Sequence, residues 1–416
     1  MNTVPQESTA ALPALLTCLG LMVLVGCGHE SSELVDATPL PSPAGAGSAE
    51  PHLTLTPDGQ ALLSWLEETD TGMHALRFAV LDGDSWSAPR EITRSADWFV
   101  NWADFPSVEV LSGPRWAAHW LVKRPGGTYA YDVAISQSLD SGATWSEPFT
   151  PHDDGTATEH GFVSLFPWSG AAGALWLDGR RMTGGHAGGG AMTLRAAIFG
   201  PGGGATGEWL IDDRVCDCCQ TDAAVTPDGI VAVYRNRSQD EVRDIAVVRF
   251  DGQRWSEPWV IADDGWRIAG CPVNGPAIAA RGDRVGAAWF TAAGGERRVY
   301  FAASDDAGRT FGSPARVDDG APIGRVDVAM LEDGAIVSWL AEARSGEAQI
   351  RLRSVDAAGG SGDVQVLATT SAARSSGFPQ MVASRDGLVF AWTATETPSR
   401  VRTAVLPLSA PDEHRL

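Results

Sequence analysis

Seven strand–turn–strand units recur along the chain, and this repeat constrains the fold more than any other feature of the sequence. Each unit has an apolar alternating strand, a tight turn that is often Asp-Gly, and a second strand that ends in aromatic residues, from HLTLTPDGQALLSWL in the first unit to FPQMVASRDGLVFAWT in the last. The units begin roughly 50–60 residues apart, which suits a four-stranded propeller blade. Because alternation of period two indicates half-buried antiparallel strands, we predict an all-β chain folded as a β-propeller.

The number of blades depends on how the last unit is completed. That unit has three strands and ends at VRTAVLPL, while residues 33–37 near the N-terminus resemble the outer strands of other units. Pairing these two ends of the chain would remove free sheet edges, which otherwise promote aggregation. We therefore predict seven blades with residues 33–37 as the closing strand, and six blades with an irregular addition is the alternative.

The composition agrees with short strands and limits the ligands. The chain has 47 Gly, 25 Pro and 16 Trp, and Gly and Pro favour turns while aromatic residues fill sheet faces. A formal net charge of −21 argues against nucleic-acid binding, which needs a basic surface, and against lying on an anionic membrane. An anionic ligand therefore requires a local basic pocket in an acidic protein.

The N-terminal segment predicts export to the cell envelope. Residues 10–26 form an apolar run that is too short for a spanning helix and fits the core of a signal peptide, although the first 17 residues contain no Lys or Arg. The run ends in Leu24-Val25-Gly26-Cys27, which resembles a bacterial lipobox with Cys27 as the lipidated residue. A polar segment rich in Pro, Gly and Ser follows, as expected of a tether. We predict a lipid-anchored protein whose mature part is periplasmic or extracellular; an ordinary secretory signal or short anchor is the alternative.

Two turns share the pattern S-x-D-x-G-x-T followed by an aromatic residue. Its members are Ser138, Asp140, Gly142 and Trp145 in the second unit, and Ser304, Asp306, Gly308 and Phe311 in the fifth. In such a turn the carboxylate can accept backbone N–H groups, and Gly takes a φ that other residues avoid. The pattern resembles the Asp-box (BNR repeat) of sialidase-type β-propellers, and the resemblance spans roughly residues 50–407.

The resemblance implies where a ligand would bind. In sialidase-type propellers the Asp-boxes lie opposite the binding face, which is built from the loops entering each inner strand and the loops joining second to third strands. Sialidases have six blades and use three convergent arginines, a Tyr–Glu nucleophile pair and an Asp acid/base. This chain has no convincing F/Y-R-I-P motif, and no glutamate partner for a tyrosine is evident from the sequence.

Charged residues in these two classes of loop are the candidates for a site. The predicted ligand-binding residues are Arg180, Arg181, Arg235, Arg237 and His160. The arginines come from adjacent units and are predicted to form a basic patch for a carboxylate or sulfate; solvated arginines paired with nearby Asp and Glu are the alternative. The predicted catalytic residues are Asp104, as a general acid, and Tyr234, beside the arginines.

Four cysteines lie in the loops that enter the fourth and fifth units: Cys216, Cys218, Cys219 and Cys271. In an oxidising compartment we expect two disulfides, and the sequence leaves the pairing open. Binding of a soft metal ion such as Cu(I) or Zn is the alternative, because thiolates favour such ions. A standard CxxC…CxxC spacing is missing, which argues against a zinc site.

The predicted organisation is a signal peptide at 1–26, a tether at 27–50 that includes the closing strand, a propeller at 51–407 and a polar tail at 408–416. The predicted function is that of a monomeric lipoprotein which binds acidic glycans, with hydrolysis as an extension, and which requires no cofactor. The alternatives are a non-catalytic protein-interaction propeller and a thiol-based copper- or zinc-binding lipoprotein. Fold alone does not choose among them, because propellers serve many functions.

Overall fold

A computed structural model describes residues 36–70, 72–183 and 189–408. These residues form 28 β-strands, grouped into seven antiparallel sheets, and two short 3₁₀ helices. The prediction of an all-β propeller with seven blades is therefore confirmed. Within the described residues, no helix is both long enough and apolar enough to cross a membrane.

The strands follow one another from the inside to the outside of each blade. The first blade contains Ser48–Leu55 (β2), Ala61–Glu68 (β3), His74–Asp82 (β4), Ser85–Trp86 (β5) and Arg90–Ser95 (β6). The second contains Ser107–Ser112 (β7), Arg115–Lys123 (β8) and Tyr131–Ser138 (β9). The third contains His160–Trp168 (β10), Ala171–Asp178 (β11), Thr193–Phe199 (β12) and Ala205–Asp212 (β13).

The remaining blades have the same arrangement. The fourth contains Asp222–Thr226 (β14), Gly229–Arg235 (β15), Ile245–Phe250 (β16) and Trp259–Val260 (β17). The fifth contains Ala277–Arg281 (β18), Arg284–Thr291 (β19), Arg298–Ser304 (β20) and Ala315–Arg316 (β21). The sixth contains Pro322–Leu331 (β22), Gly334–Glu342 (β23), Glu347–Asp356 (β24) and Gln365–Ser371 (β25). The seventh contains Gln380–Ser384 (β26), Gly387–Ala394 (β27), Arg400–Leu406 (β28) and Thr38–Leu40 (β1). The 3₁₀ helices are Ala293–Gly295 and Arg374–Ser376.

The inner strands close into a ring. Each inner strand contacts the inner strands of the blades before and after it, and β26 contacts β2. The outer strand of the seventh blade is β1, which pairs with β28 so that Thr38 lies opposite Val405 and Leu40 opposite Thr403. The chain ends therefore meet in one sheet. The observed closing strand begins at Thr38, just after the predicted residues 33–37, of which 33–35 lie outside the described residues.

An aromatic residue occupies the same place in the second strand of every blade. The seven residues are Trp65, Trp120, Trp176, Tyr234, Trp289, Trp339 and Trp392. Five of them are completely buried: all except Trp120 and Trp392 have less than 2% of their surface exposed. The indole N–H groups of Trp65 and Trp176 donate to nearby carboxylates at 3.0 and 2.9 Å. This position therefore packs into the core of each blade, and in Trp65 and Trp176 its polar atom is satisfied by a carboxylate of the same strand.

The two Asp-box-like turns have the same hydrogen-bond network. Asp140 accepts the Ser138 hydroxyl at 2.8 Å, the Thr144 amide at 2.8 Å and the Thr144 hydroxyl at 2.6 Å. The equivalent bonds to Asp306 measure 2.7, 2.9 and 2.7 Å. Hydrogen bonds from the turn threonine are the main cause that lowers the pKa of each carboxyl group to about 2.

Both turns also need glycine for two reasons. Gly142 and Gly308 have φ values of 71° and 73°, which side chains disfavour. A Cβ atom on Gly142 would lie 2.7 Å from the Phe78 ring, and one on Gly308 would lie 2.8 Å from Val231. Since Phe78 and Val231 belong to the preceding blades, each turn packs directly against a neighbouring sheet.

Candidate functional site

Loops from five blades surround a cavity of about 490 Å³ at one end of the propeller. Because consecutive strands run antiparallel, the entering loops and the second-to-third loops share this end, and the Asp-box-like turns lie at the other end. We call the cavity the mouth pocket. Its walls include Trp102, Tyr129, Tyr131, Glu159, Phe162, Asp217, Cys218, Arg237, Glu241, Arg243, Cys271 and Arg374.

Tyr131, the first residue of β9, lies at this pocket between two carboxylates. Its hydroxyl oxygen is 2.8 Å from Asp104 Oδ2 and 2.8 Å from Glu159 Oε1. The residues are 0%, 2% and 6% exposed for Tyr131, Asp104 and Glu159. Phe99 stacks on the tyrosine ring at 4.1 Å, and Asp104 Oδ1 accepts the amide of Phe162 at 2.7 Å. These contacts hold the three polar groups in one fixed arrangement.

The two short contacts of the Tyr131 hydroxyl require a second proton besides that of the phenol. A phenol donates one hydrogen bond, so two carboxylates at 2.8 Å require a second proton on one of the carboxyl groups. Burial raises the pKa of Asp104 to about 7. Burial, and then the two nearby carboxylates, raise the pKa of Tyr131 well above its usual value. Near neutral pH, Tyr131 therefore keeps its proton and Asp104 is partly protonated, so the three residues form a short proton relay.

Arginines line another wall of the pocket. Arg237 lies between Asp217 and Glu241, with its nitrogens 2.9 and 2.8 Å from their carboxylate oxygens. Arg243 donates to the other oxygen of Glu241 at 2.9 Å. Arg374, in the loop entering the seventh blade, is exposed and pairs with no carboxylate among the described residues. It is therefore the cation of this wall that is available to an anionic ligand.

Arg235 has a different role from the predicted one. It is only 1% exposed and does not line the mouth pocket. Its guanidinium donates to the carbonyl oxygens of Asn274, Arg243 and Phe290 at 2.8, 2.7 and 2.7 Å, and lies over the Trp266 ring. These bonds use its donors to join the fourth and fifth blades.

The arginines of the third blade do not join Arg237 at the pocket. Arg180 forms two 2.7 Å hydrogen bonds to Asp178, which is the paired arrangement considered as the alternative. Arg181 is exposed and lies shortly before residues 184–188, which are outside the described residues. His160 is completely buried and contacts Asp154 at 3.1 Å. The predicted four-arginine patch is therefore not assembled at the mouth pocket, where Arg237 alone of the four is present.

The two predicted catalytic residues lie in different surroundings. Asp104 belongs to the relay at the mouth pocket. Tyr234 occupies the aromatic position of the fourth blade, where most other blades have tryptophan, and its hydroxyl donates to Asp212 at 2.7 Å. Tyr234 is 1% exposed and does not line the pocket. Its position and bond match those of the core tryptophans, so its role is structural.

The four cysteines form two disulfides, Cys216–Cys219 and Cys218–Cys271, with Cα–Cα distances of 5.7 and 6.1 Å. The second bridge links the loops entering the fourth and fifth blades, and both of its cysteines line the mouth pocket. The bridges therefore restrain one wall of the pocket. Binding of a soft metal by these cysteines would require their reduction and stays a prediction.

The Tyr131–Glu159 pair and Arg374 were not predicted from the sequence. Glu159 lies 28 positions from Tyr131 along the chain, and the two meet because the second and third blades are adjacent. Arg374 comes from the last blade and reaches the pocket because the ring is closed. The one available signal was the class of loop: Glu159 directly precedes an inner strand, as Asp104 nearly does.

Two solved polysaccharide lyases have a similar fold, and a solved sialidase matches with a lower score. A structure of an ulvan lyase from a new polysaccharide lyase family (PL25) is 10% identical, covers 90% of this chain and 95% of its own, and gives a TM-score of 0.54. The polysaccharide lyase Uly1 is 8% identical, the match covers 86% of this chain and 90% of that chain, and the TM-score is 0.51. The NanB sialidase from Streptococcus pneumoniae is 8% identical, the match covers 89% of this chain and 94% of that chain, and the TM-score is 0.45.

No protein-family model matches the sequence, and no curated protein matches it either. At such low identities the structural matches concern the fold alone. The resemblance to sialidase-type propellers is confirmed at that level.

Proposed function

We propose that this protein binds an acidic glycan in the mouth pocket and cleaves it with the Asp104–Tyr131–Glu159 relay. The observation that carries the proposal is the Tyr131 hydroxyl, 2.8 Å from both carboxylates, in a pocket that also contains an exposed arginine. Breaking a glycosidic bond needs a proton donor and a proton acceptor that coexist at the working pH. A neutral carboxyl group and a carboxylate joined through a phenol meet that need.

The wall opposite the relay supplies the affinity for an acidic sugar. A guanidinium binds a carboxylate or sulfate through two parallel hydrogen bonds, and the Arg374 guanidinium donates to no other group in the described part of the chain. Trp102 lies beside it with its ring against Phe378 and the guanidinium of Arg325, at 5.8 and 4.8 Å. A fixed aromatic ring gives the apolar face of a sugar a surface to pack on.

Two reactions are compatible with the relay. In hydrolysis, one carboxyl group protonates the glycosidic oxygen while a second carboxylate activates water or attacks the sugar. In elimination from a uronic acid, a base removes the proton beside the sugar carboxylate, the glycosidic oxygen leaves with a proton from an acid, and a carbon–carbon double bond forms. One of the ulvan lyase structures is bound to -[GlcA(1-4)Rha3S]-, which contains a uronate and a sulfated sugar. This likeness supports an acidic polysaccharide as the substrate class.

The proposal is tested with a panel of uronate-containing, sulfated and sialylated glycans. Binding and new reducing ends are measured for the wild type, and the absorbance of unsaturated uronates separates elimination from hydrolysis. Arg374→Ala should weaken binding at least tenfold. Arg385→Ala is the matched control, because Arg385 is a partly exposed arginine of the same blade in the turn between β26 and β27, away from the pocket. If the wild type binds no acidic glycan, or Arg374→Ala binds as tightly as Arg385→Ala, the proposal is wrong.

A binding protein without catalysis is the second candidate, and the burial of the relay favours it. Tyr131 has no exposed surface, and Glu159 has only 6%. Tight binding with no product from any glycan of the panel would select this candidate.

We also propose that the protein is exported and anchored through the lipidated Cys27, which lies outside the described residues. The two disulfides support this, because such bonds persist in oxidising compartments.

A further inference from the structure

A cluster of buried histidines and carboxylates lies between the second and third blades, next to the relay. It consists of Asp132, His152, Asp154, His160 and Asp178, and we call it the histidine cluster. The two imidazole rings stack with their centroids 3.8 Å apart and their planes 10° apart. His152 is 7% exposed and His160 is completely buried. The cluster takes no part in the proposed chemistry.

One carboxylate sets the protonation of both rings. Asp154 Oδ2 lies 3.2 Å from His152 Nδ1 and 3.1 Å from His160 Nε2. A carboxylate accepts hydrogen bonds, so these two nitrogens are the ones that carry protons in the neutral rings. This leaves the lone pair of His152 on Nε2, whereas His160 Nδ1 also lies 3.3 Å from the carbonyl oxygen of Tyr131, so a cation bound there would replace a proton.

Both of these nitrogens also face one carboxylate oxygen. His152 Nε2 and His160 Nδ1 lie 3.8 and 3.6 Å from Asp132 Oδ1. His152 Nε2 and Asp132 Oδ1 are both buried and have no hydrogen-bond partner among the described residues. The second oxygen of Asp132 is held by Arg124 at 2.6 Å. Buried acceptors that face one another without a donor are costly, and a cation between them removes that cost.

We propose that a divalent cation of the zinc class binds between Asp132, His152 and His160. Two imidazole nitrogens and a carboxylate oxygen are a preferred donor set for such ions. The ligand atoms of these residues lie within 4.8 Å of one another. Two atoms that each lie about 2.0–2.2 Å from one ion are at most about 4.4 Å apart. The distances are therefore close to those of a site, and one imidazole must turn out of the stack so that both ring nitrogens point at the ion. Asp154, behind both rings, is the outer carboxylate that commonly orients metal-binding histidines.

A bound ion would stabilise the relative positions of Tyr131 and Glu159, because its ligands are their neighbours in the chain. Asp132 follows Tyr131 in β9, and His160 follows Glu159 at the start of β10. The backbones already meet there, since the Tyr131 amide donates to the Thr158 carbonyl at 3.1 Å. A cation bound to both strands would therefore fix the separation of Tyr131 and Glu159. The site itself does not depend on whether that pair is catalytic.

The test uses the full mature chain. Metal content is measured by mass spectrometry after purification, and zinc, manganese and calcium are each titrated into chelator-treated protein while binding heat and thermal unfolding are followed. We expect one equivalent of zinc to bind and to raise the unfolding temperature, with weaker binding of manganese and none of calcium. His152→Gln and the near-isosteric Asp132→Asn should each weaken zinc binding at least 100-fold.

His119→Gln is the matched control. His119 is as buried as His152 and also has an unpartnered Nε2, but it belongs to no cluster of metal-ligating residues in the described chain. It should bind zinc like the wild type. The inference is overturned if chelator-treated wild type binds no zinc, or if both cluster variants bind zinc as the wild type does. It is also overturned if the variants retain zinc binding that is lost when the thiols are blocked after reduction, because the ion would then lie at the cysteines.

Discussion

At the scale of single residues, surroundings decide what a tyrosine does. Tyr131 and Tyr234 are both buried, and both donate to an aspartate or glutamate at 2.7–2.8 Å. Tyr234 has a single carboxylate partner in the core, so its bond only satisfies the hydroxyl. Tyr131 has two such partners and lies in the wall of a pocket, so a proton can be exchanged between the two carboxyl groups beside a bound ligand.

The pKa of Asp104 leads to a pH dependence that can be measured. Its value of about 7 in the folded protein lies above the ordinary 3.8, so the folded state binds more protons between these values, and this residue's contribution to stability falls as pH rises through that window. Asp104→Asn should remove this contribution, so the difference in unfolding free energy between variant and wild type should change between pH 4 and pH 7. Urea unfolding across this range tests it, and parallel curves for the two proteins would refute the raised pKa.

Residue types and loop classes identified part of the site from sequence. Asp104 and Arg237 were predicted because they lie in the right loops: Arg237 lines the mouth pocket, and Asp104 lies behind it, bonded to Tyr131, which does line it. Arg235 and His160 lie in the same loops, but they point into the protein, because a loop class specifies an end of the blade and not a direction for each side chain. The Tyr131–Glu159 contact depends on the packing of two blades, which no local spacing encodes.

At the scale of elements, the Asp-box-like turns are separate from the site. The bonds to Asp306 stay within one turn between β20 and β21, at the end of the blade away from the mouth pocket. They join a hydroxyl, an amide and a carboxylate within seven residues, so the pattern could be recognised from sequence alone. The closing strand was harder to place, because the three residues of β1 have little pattern of their own.

Asp306→Ala should lower the unfolding temperature by a few degrees and leave glycan binding unchanged, because the turn amide and hydroxyls lose their acceptor. The matched control is Asp305→Ala, which removes the same charge from an exposed neighbour. Calorimetry and glycan binding are measured for both variants. Equal destabilisation by both variants would show that charge, and not the hydrogen-bond network, stabilises the turn.

At the scale of the whole molecule, the two ends of the propeller meet in the seventh blade. β1 pairs with β28, so the described chain enters the propeller at the outer strand of the seventh blade. The repeat made this architecture predictable, because seven similar units can bury their faces only by packing on one another. The identity of the ligand was not predictable in the same way, since it depends on a few loop side chains.

Cys27→Ser should release the protein from the membrane fraction or block its processing, because the thiol that would carry the lipid is removed. Fractionation and intact-mass measurement of the product expressed in a bacterial host test this expectation. A variant that stays in the membrane fraction with the mass of the wild type would contradict lipidation at Cys27.

We propose that Tyr131, held between two carboxylates, takes part in cleavage in the mouth pocket. The most direct test is the rate of cleavage by Tyr131→Phe and Tyr234→Phe on the acidic glycan that the wild type degrades, with folding checked by circular dichroism. We expect Tyr131→Phe to lower kcat by at least about 100-fold with little change in KM, and Tyr234→Phe to keep the wild-type rate with lower thermal stability. Wild-type turnover by Tyr131→Phe, or an equal loss of kcat in both variants, would show that the Tyr131 hydroxyl has no specific part in cleavage.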